Sequence, residues 1–200
     1  HDSGCKVFVT GSNANMLSRE LGTHLTGRYC QIELYPFSFP EFLKIKEVYP
    51  QQKDFYTTTG KSILKRYFDE YVKTGGFPRY IKDPNTNYLS TLYENIIYKD
   101  VVTRNKLNGE RELLEMVYYL ASNATKRFSY TSLAKTIGIK HTETVKNYLE
   151  YLENTYLLFQ VMKFDWSVKK QMNNQKKVYF IDNAIIGKVG FNATDNIGQL

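Results

Sequence analysis

The chain has 200 residues, enough for one or two small domains with an apolar core. Its hydrophobic fraction of 42% and aromatic fraction of 15% exclude a disordered chain, and no apolar run reaches the length of a membrane span. The net charge of +7 favours an acidic partner such as nucleic acid or an anionic surface, while two cysteines, Cys5 and Cys30, are too few for a disulfide framework and fit a reducing, cytoplasmic setting.

Residues 5–10, Cys-Lys-Val-Phe-Val-Thr, read as a buried strand. Gly11-Ser12-Asn13 forms a turn, and residues 14–25 are predicted helical, with Ser12 or Asn13 as cap and Gly27 at the end. Residues 29–35 alternate like a second strand; Pro36 stops it, and Pro40 opens a helix over 41–46. The polar stretch 47–59 reads as a linker. A helix over 62–74 places Ile63, Leu64, Tyr67, Phe68, Tyr71 and Val72 near helical spacing, Gly75-Gly76-Phe77-Pro78 breaks it, and a further helix is predicted over 85–105. Beyond the Asn108-Gly109 turn, helices are predicted over 112–123, 130–137 and 142–154. Ser129 or Thr131 caps the second of these, and Gly138 turns the chain into the third. Residues 156–164 and 177–182 read as strands, joined by the polar stretch 169–177.

Three helices followed by a two-stranded hairpin is the plan of a winged helix-turn-helix. Leu133, Ala134 and Ile137 are expected to pack on Val145, Tyr148, Leu149 and Leu152, with small Ala134 allowing a close crossing. On that plan Lys140, His141, Thr142, Lys146 and Asn147 face the major groove of double-stranded DNA. Lys169, Lys170, Lys176 and Lys177 form a wing over the phosphates. A protein-contact role fits the same module, because the third helix sets Lys140 and Lys146 against Glu143 and Glu150. A pure scaffold, docking partners through helices between 62 and 105, is the third reading. His24 and His141 lack cysteines or carboxylates at ligand spacing, so no metal site is expected.

The order Val7-Phe8-Val9-Thr10-Gly11-Ser12-Asn13, helix, Leu25-Thr26-Gly27-Arg28-Tyr29 resembles the second half of an AAA+ P-loop ATPase core. The likeness is to bacterial and archaeal ATPases with an uncharacterised C-terminal region. Glu33 to Phe42, Gly75-Gly76-Phe77-Pro78 and Tyr98-Lys99-Asp100-Val101-Val102 extend it over nearly the whole chain. The resemblance implies a sensor-one residue among Thr10, Ser12 and Asn13. It also implies that Arg28 is an arginine finger acting on a neighbouring protomer, which makes the parent a homo-oligomer that uses ATP and magnesium. Apart from the resemblance, Gly27-Arg28 reads as a helix cap with a solvated arginine, and Thr10-Gly11-Ser12 as a plain turn.

Gly60-Lys61-Ser62 imitates the end of a phosphate-binding loop, but Phe55 stands where that loop's first glycine belongs. No strand ends in a paired Asp-Glu for magnesium. The chain is therefore expected to derive from a protein that starts before His1, to lack the ATP-binding loop and to hold no nucleotide tightly. Residues 1–35 are then expected to need strands supplied from elsewhere. The expected fold is mostly α with a small α/β remnant. Its parts are the C-terminal part of an AAA+ core over 1–46, a linker and helical segment over 47–110, a winged helix over 111–182, and the start of a further domain over 183–200.

Overall fold

A computed structural model of the chain describes residues 6–11 and 30–190. Over these it is mostly helical, with one three-stranded sheet. Helix α1, Phe39–Ile45, starts with Pro40 in its first turn, and the Glu41 carboxylate accepts the Ser38 N–H at 2.8 Å. A 3-10 turn, Gln52–Phe55, then leads into α2, Thr58–Thr74. The expected linker over 47–59 is thus partly helical. Its polar residues act as caps: Asp54 accepts the Gln51 N–H at 2.8 Å, and Thr57 Oγ1 accepts the Gly60 N–H at 3.2 Å.

Helix α3, Pro78–Lys82, and α4, Tyr88–Glu94, follow the glycine pair. A π-helical stretch, Asn95–Thr103, continues α4, and there Thr103 Oγ1 donates to the Tyr98 carbonyl five residues back at 2.7 Å. The single helix expected over 85–105 is therefore two helical forms end to end. Helix α5, Glu110–Ser122, buries Leu113, Met116, Val117 and Leu120, one face at helical spacing. Strand β1, Arg127–Phe128, escaped the sequence reading because two residues show no alternation. Helix α6, Tyr130–Ile137, and α7, Thr142–Asn154, have the predicted limits. Ser129 caps α6, its Oγ accepting the Ser132 N–H at 3.1 Å.

Strands β2, Leu158–Met162, and β3, Lys176–Phe180, pair antiparallel with Gln160 opposite Val178. β1 pairs antiparallel with the start of β3, which gives the order β1-β3-β2. The connection between β2 and β3 is not only a polar loop: it contains helix α8, Val168–Asn173. Helix α9, Asn183–Val189, then folds back onto α2, α4 and α5.

One apolar cluster runs from Ile96, Ile97 and Val101 through α5, α6 and α7 to Val178, Phe180 and Ile185. The boundaries expected at 110 and 182 both cut this cluster, because α9 and the π-helical stretch complete the same core as the sheet. The described residues of the first two expected strands, 6–10 and 30–35, pair in no ladder. A strand needs a neighbour for its backbone groups, and no other described residue supplies one. Phe8 and Leu34 are accordingly 87% and 90% exposed.

Candidate functional site

Gly138 ends α6 in the left-handed region at φ 84°, and its N–H and that of Ile139 both reach the Ala134 carbonyl at 2.9 Å. This tight exit delivers Lys140, His141 and Thr142, all exposed, to the start of α7. One turn on, the Lys146 ammonium donates to Glu143 at 2.9 Å, and Asn147 is half-buried. The start of α7 is thus exposed and polar, but Lys146 already has a carboxylate partner.

Tyr130 links that helix to the sheet. Its ring lies 5.9 Å from Lys146 Nζ and 4.4 Å from Lys176 Nζ, and its hydroxyl donates to Gln160 Oε1 at 3.1 Å. Lys176, expected to lie on the wing surface, is buried instead. Its ammonium donates to the carbonyls of Met172 at 2.9 Å and Asn174 at 3.1 Å. Burial first, and then the charge of Lys146, hold its pKa below the ordinary lysine value. Lys176 thus fastens the end of α8 and is withdrawn from any phosphate, whereas Lys169 and Lys170 stand exposed on α8 and Lys177 is half-buried.

A second constellation gathers at Gly75-Gly76. The Asp182 carboxylate, buried, accepts the Gly76 N–H at 2.6 Å with one oxygen and the Ala184 N–H at 2.8 Å with the other. Gly76 returns its carbonyl to the Phe37 N–H at 2.7 Å, and Tyr71 donates its hydroxyl to the Phe37 carbonyl at 2.8 Å. The glycine pair and the segment before α1 are therefore joined to the cap of α9. Burial raises the Asp182 pKa above the ordinary value of 3.8, against the lowering pull of its two N–H donors. No local pattern marks Asp182 in the sequence, since its partner lies more than a hundred residues away.

Of the residues expected to serve catalysis, Thr10 lies in a described segment, exposed and outside any strand. Ser12, Asn13 and Arg28 lie outside the described residues. The segment after them touches the sheet module: Tyr35 packs edge-on against Tyr156 at 6.2 Å, and Glu33 accepts the Tyr156 hydroxyl at 3.0 Å. Among the described residues no three His, Cys, Asp or Glu side chains gather to hold a metal ion. No helix among them is long and apolar enough to cross a membrane.

Residues 65–195, more than half of the chain, match the family model described as Domain of unknown function (DUF8612). The chain belongs to the DUF8612 family. The DUF8612 match takes in most of α2 and every element from α3 to α9, and so both constellations above except Phe37. Residues 1–43 match the model of an AAA domain, an ATPase-like segment that ends within α1. Among curated relatives, an uncharacterized protein of Haemophilus influenzae is 30% identical over 97% of this chain and 49% of its own length. The uncharacterized proteins MJ1544 and MJ1637 of Methanocaldococcus jannaschii are 35% and 26% identical, over 91% and 88% of this chain and 42% and 41% of theirs. The chain thus spans about half the length, or less, of the curated relatives it matches. No solved structure matches it.

Proposed function

We propose that this chain is an internal part of an ATP-driven AAA+ switch, in which sensor and arginine-finger residues lead into a DUF8612 module built as a winged helix-turn-helix. The observation that carries this reading is the succession of the two family matches, AAA domain over 1–43 and DUF8612 over 65–195. Two further observations support it. Strand-like residues 6–10 and 30–35 present Phe8 and Leu34 to solvent, as strands of a sheet completed elsewhere would. Helices α5, α6 and α7, with β1 between the first two and the β2–β3 pair after the third, joined in one sheet of order β1-β3-β2, have the sequence of parts of a winged helix. In this reading Thr10, Ser12 or Asn13 positions water at the γ-phosphate, and Arg28 reaches the ATP of a neighbouring protomer.

Gly60-Lys61-Ser62 does not have the form of a phosphate-binding loop. It lies in the first turn of α2, and a 3-10 turn precedes it where a phosphate-binding loop follows a strand. The Gly60 N–H is taken by Thr57, and a Cβ at this position would overlap the Asp54 backbone. The loop and the magnesium ligands therefore belong, in this proposal, to the rest of the parent protein. Isothermal titration with Mg-ATP tests it. The full-length parent should bind, and its hydrolysis should fall at least a hundredfold in Arg28→Ala, while this chain alone should show no micromolar affinity. Tight binding by the chain alone, or none by the parent, overturns the proposal.

A second reading, duplex DNA contact by the module, rests on exposed Lys140, His141 and Thr142 opening α7 beside exposed Lys169 and Lys170. Affinity for duplex DNA that falls with salt and is lost in Lys140→Glu would support it. Binding indifferent to that change would leave the module a protein-contact device.

A further inference from the structure

The connection between β2 and β3 carries the chain's single tryptophan, and Trp166 is 94% exposed. Phe164 beside it is 69% exposed, and the two rings meet edge to face at 5.3 Å, touching no other aromatic ring among the described residues. Two exposed rings in contact make a contiguous apolar patch, in a chain that buries Phe42, Leu113 and Leu149 completely. The connection is nevertheless fastened. Asp165 accepts the Ser167 N–H at 3.0 Å, Ser167 caps α8 through the Lys170 N–H at 3.4 Å, and Lys176 holds the carbonyl end of α8. The rings thus project from a pinned turn.

The charge around them has one sign. From Gln160 through Lys177 the sequence has five lysines, Lys177 included, and one acid, Asp165, which is engaged in the turn. With Lys176 buried, Lys163, Lys169 and Lys170 remain exposed, and among the described residues none of the three forms an ion pair. Lysine is depleted from the cores of protein–protein interfaces, which argues against a protein partner here. Helix α8 has six residues, with Val168 and Met172 as its apolar pair, too short an apolar face to lie in a bilayer surface. Open aromatic faces among unpaired lysines are what a strand of unstacked bases requires: rings for the bases, ammonium groups for the phosphates.

We infer that the β2–β3 connection is a binding site for single-stranded DNA, in which Trp166 and Phe164 stack on successive bases and Lys163, Lys169 and Lys170 neutralise the phosphates between them. The site continues the polar start of α7 by way of Lys176, Tyr130 and Lys146, and it does not depend on the ATPase reading. Duplex DNA would offer these rings no exposed base face.

Because Trp166 is the one tryptophan, its fluorescence in the 200-residue chain reports the site directly. Titration with a short oligothymidylate should quench it. The logarithm of affinity should fall with the logarithm of salt at a slope of about −2, for three neutralised phosphates. With a labelled oligonucleotide read by anisotropy, Trp166→Ala and Phe164→Ala should each weaken binding about tenfold, and Trp166→Phe should restore most of it. Both side chains lie largely in solvent, so the variants should keep the parent's unfolding temperature. Absence of quenching overturns the inference, as does full affinity in the two alanine variants. A blue shift on phosphatidylserine vesicles without response to the oligonucleotide assigns the patch to a membrane. Concentration-dependent sedimentation that shields Trp166 assigns it to a second copy, and either result overturns the inference. Loss of binding in Lys140→Glu but not in Trp166→Ala would place the strand on α7 and equally overturn it.

Discussion

Gly75 sits at φ 68° and ψ −165°, a region that in practice only glycine enters, and a Cβ there would overlap the Asp182 carboxylate. Gly75→Ala is therefore expected to strain the backbone by about 1–3 kcal/mol and to push Asp182 off its two N–H donors, which adds about 1–3 kcal/mol. Urea denaturation should show a fall of at least ~2 kcal/mol; a fall under ~1 kcal/mol would mean the contact is dispensable. Asp182 itself permits a sharper test. Its folded pKa is raised, so its contribution to stability is fully present below the ordinary value of 3.8 and is lost as pH rises through the folded pKa. Asn at this position does not titrate. The stability difference between the wild type and Asp182→Asn should therefore move in the variant's favour as pH rises from 3.8, then level off above the raised pKa. Movement the other way would show that the two hydrogen bonds outweigh burial.

Helix α8 has too few residues to persist on its own intrinsic propensity, so its two ends must be held from outside. Ser167 holds the first end, and the Lys176 ammonium, on the carbonyls of Met172 and Asn174, holds the last. Lys176→Met fills the same space against Tyr130 but leaves those carbonyls without a donor. It should cost about 1–2 kcal/mol and speed amide exchange in residues 168–173 while sparing α5 and α7; protection unchanged in α8 would refute the role. Local signals were legible in the sequence for the same reason that distant ones were not. Helices α6 and α7 have their predicted limits because Ser129 and Gly138 sit beside the turns they cap, and Val145, Tyr148, Leu149 and Leu152 repeat at helical spacing. Helix α8 and buried Lys176 were hidden, since a run of lysines and asparagines looks like a solvated wing until Tyr130 and two carbonyls are brought to it. The start of α7 was legible as an exposed polar face with Lys146 set against Glu143 three residues away, whereas the placing of Asp182 against Gly76 appears only once the chain is folded. Trp166 could have been found as a lone tryptophan among lysines.

The order of the chain and the order of its packing differ, and α9 shows it best. This helix follows the sheet in sequence, yet it lies on α2, α4 and α5 and takes its cap from Asp182, whose other oxygen is on Gly76. Ala184 and Ile185 are buried, and Ile186 and Val189 pack against the same core. The helical segment before residue 110 and the sheet module after it are therefore expected to unfold together. A chain stopped after Asp182 tests this. It would lose Ile185, whose full burial is worth about 1.5–3 kcal/mol, and the smaller contributions of half-buried Ile186 and Val189, out of a total stability typically about 5–15 kcal/mol. It would also expose the sides of α2 and α5 that α9 covers, including the close approach of Gly190 to the Ala121 backbone. The truncated chain should show no cooperative thermal transition, or one lowered by more than about 15 °C. A sharp transition within a few degrees of that of the full chain would instead mean that residues after 182 rest on a core already complete. The domain boundary would then fall there after all.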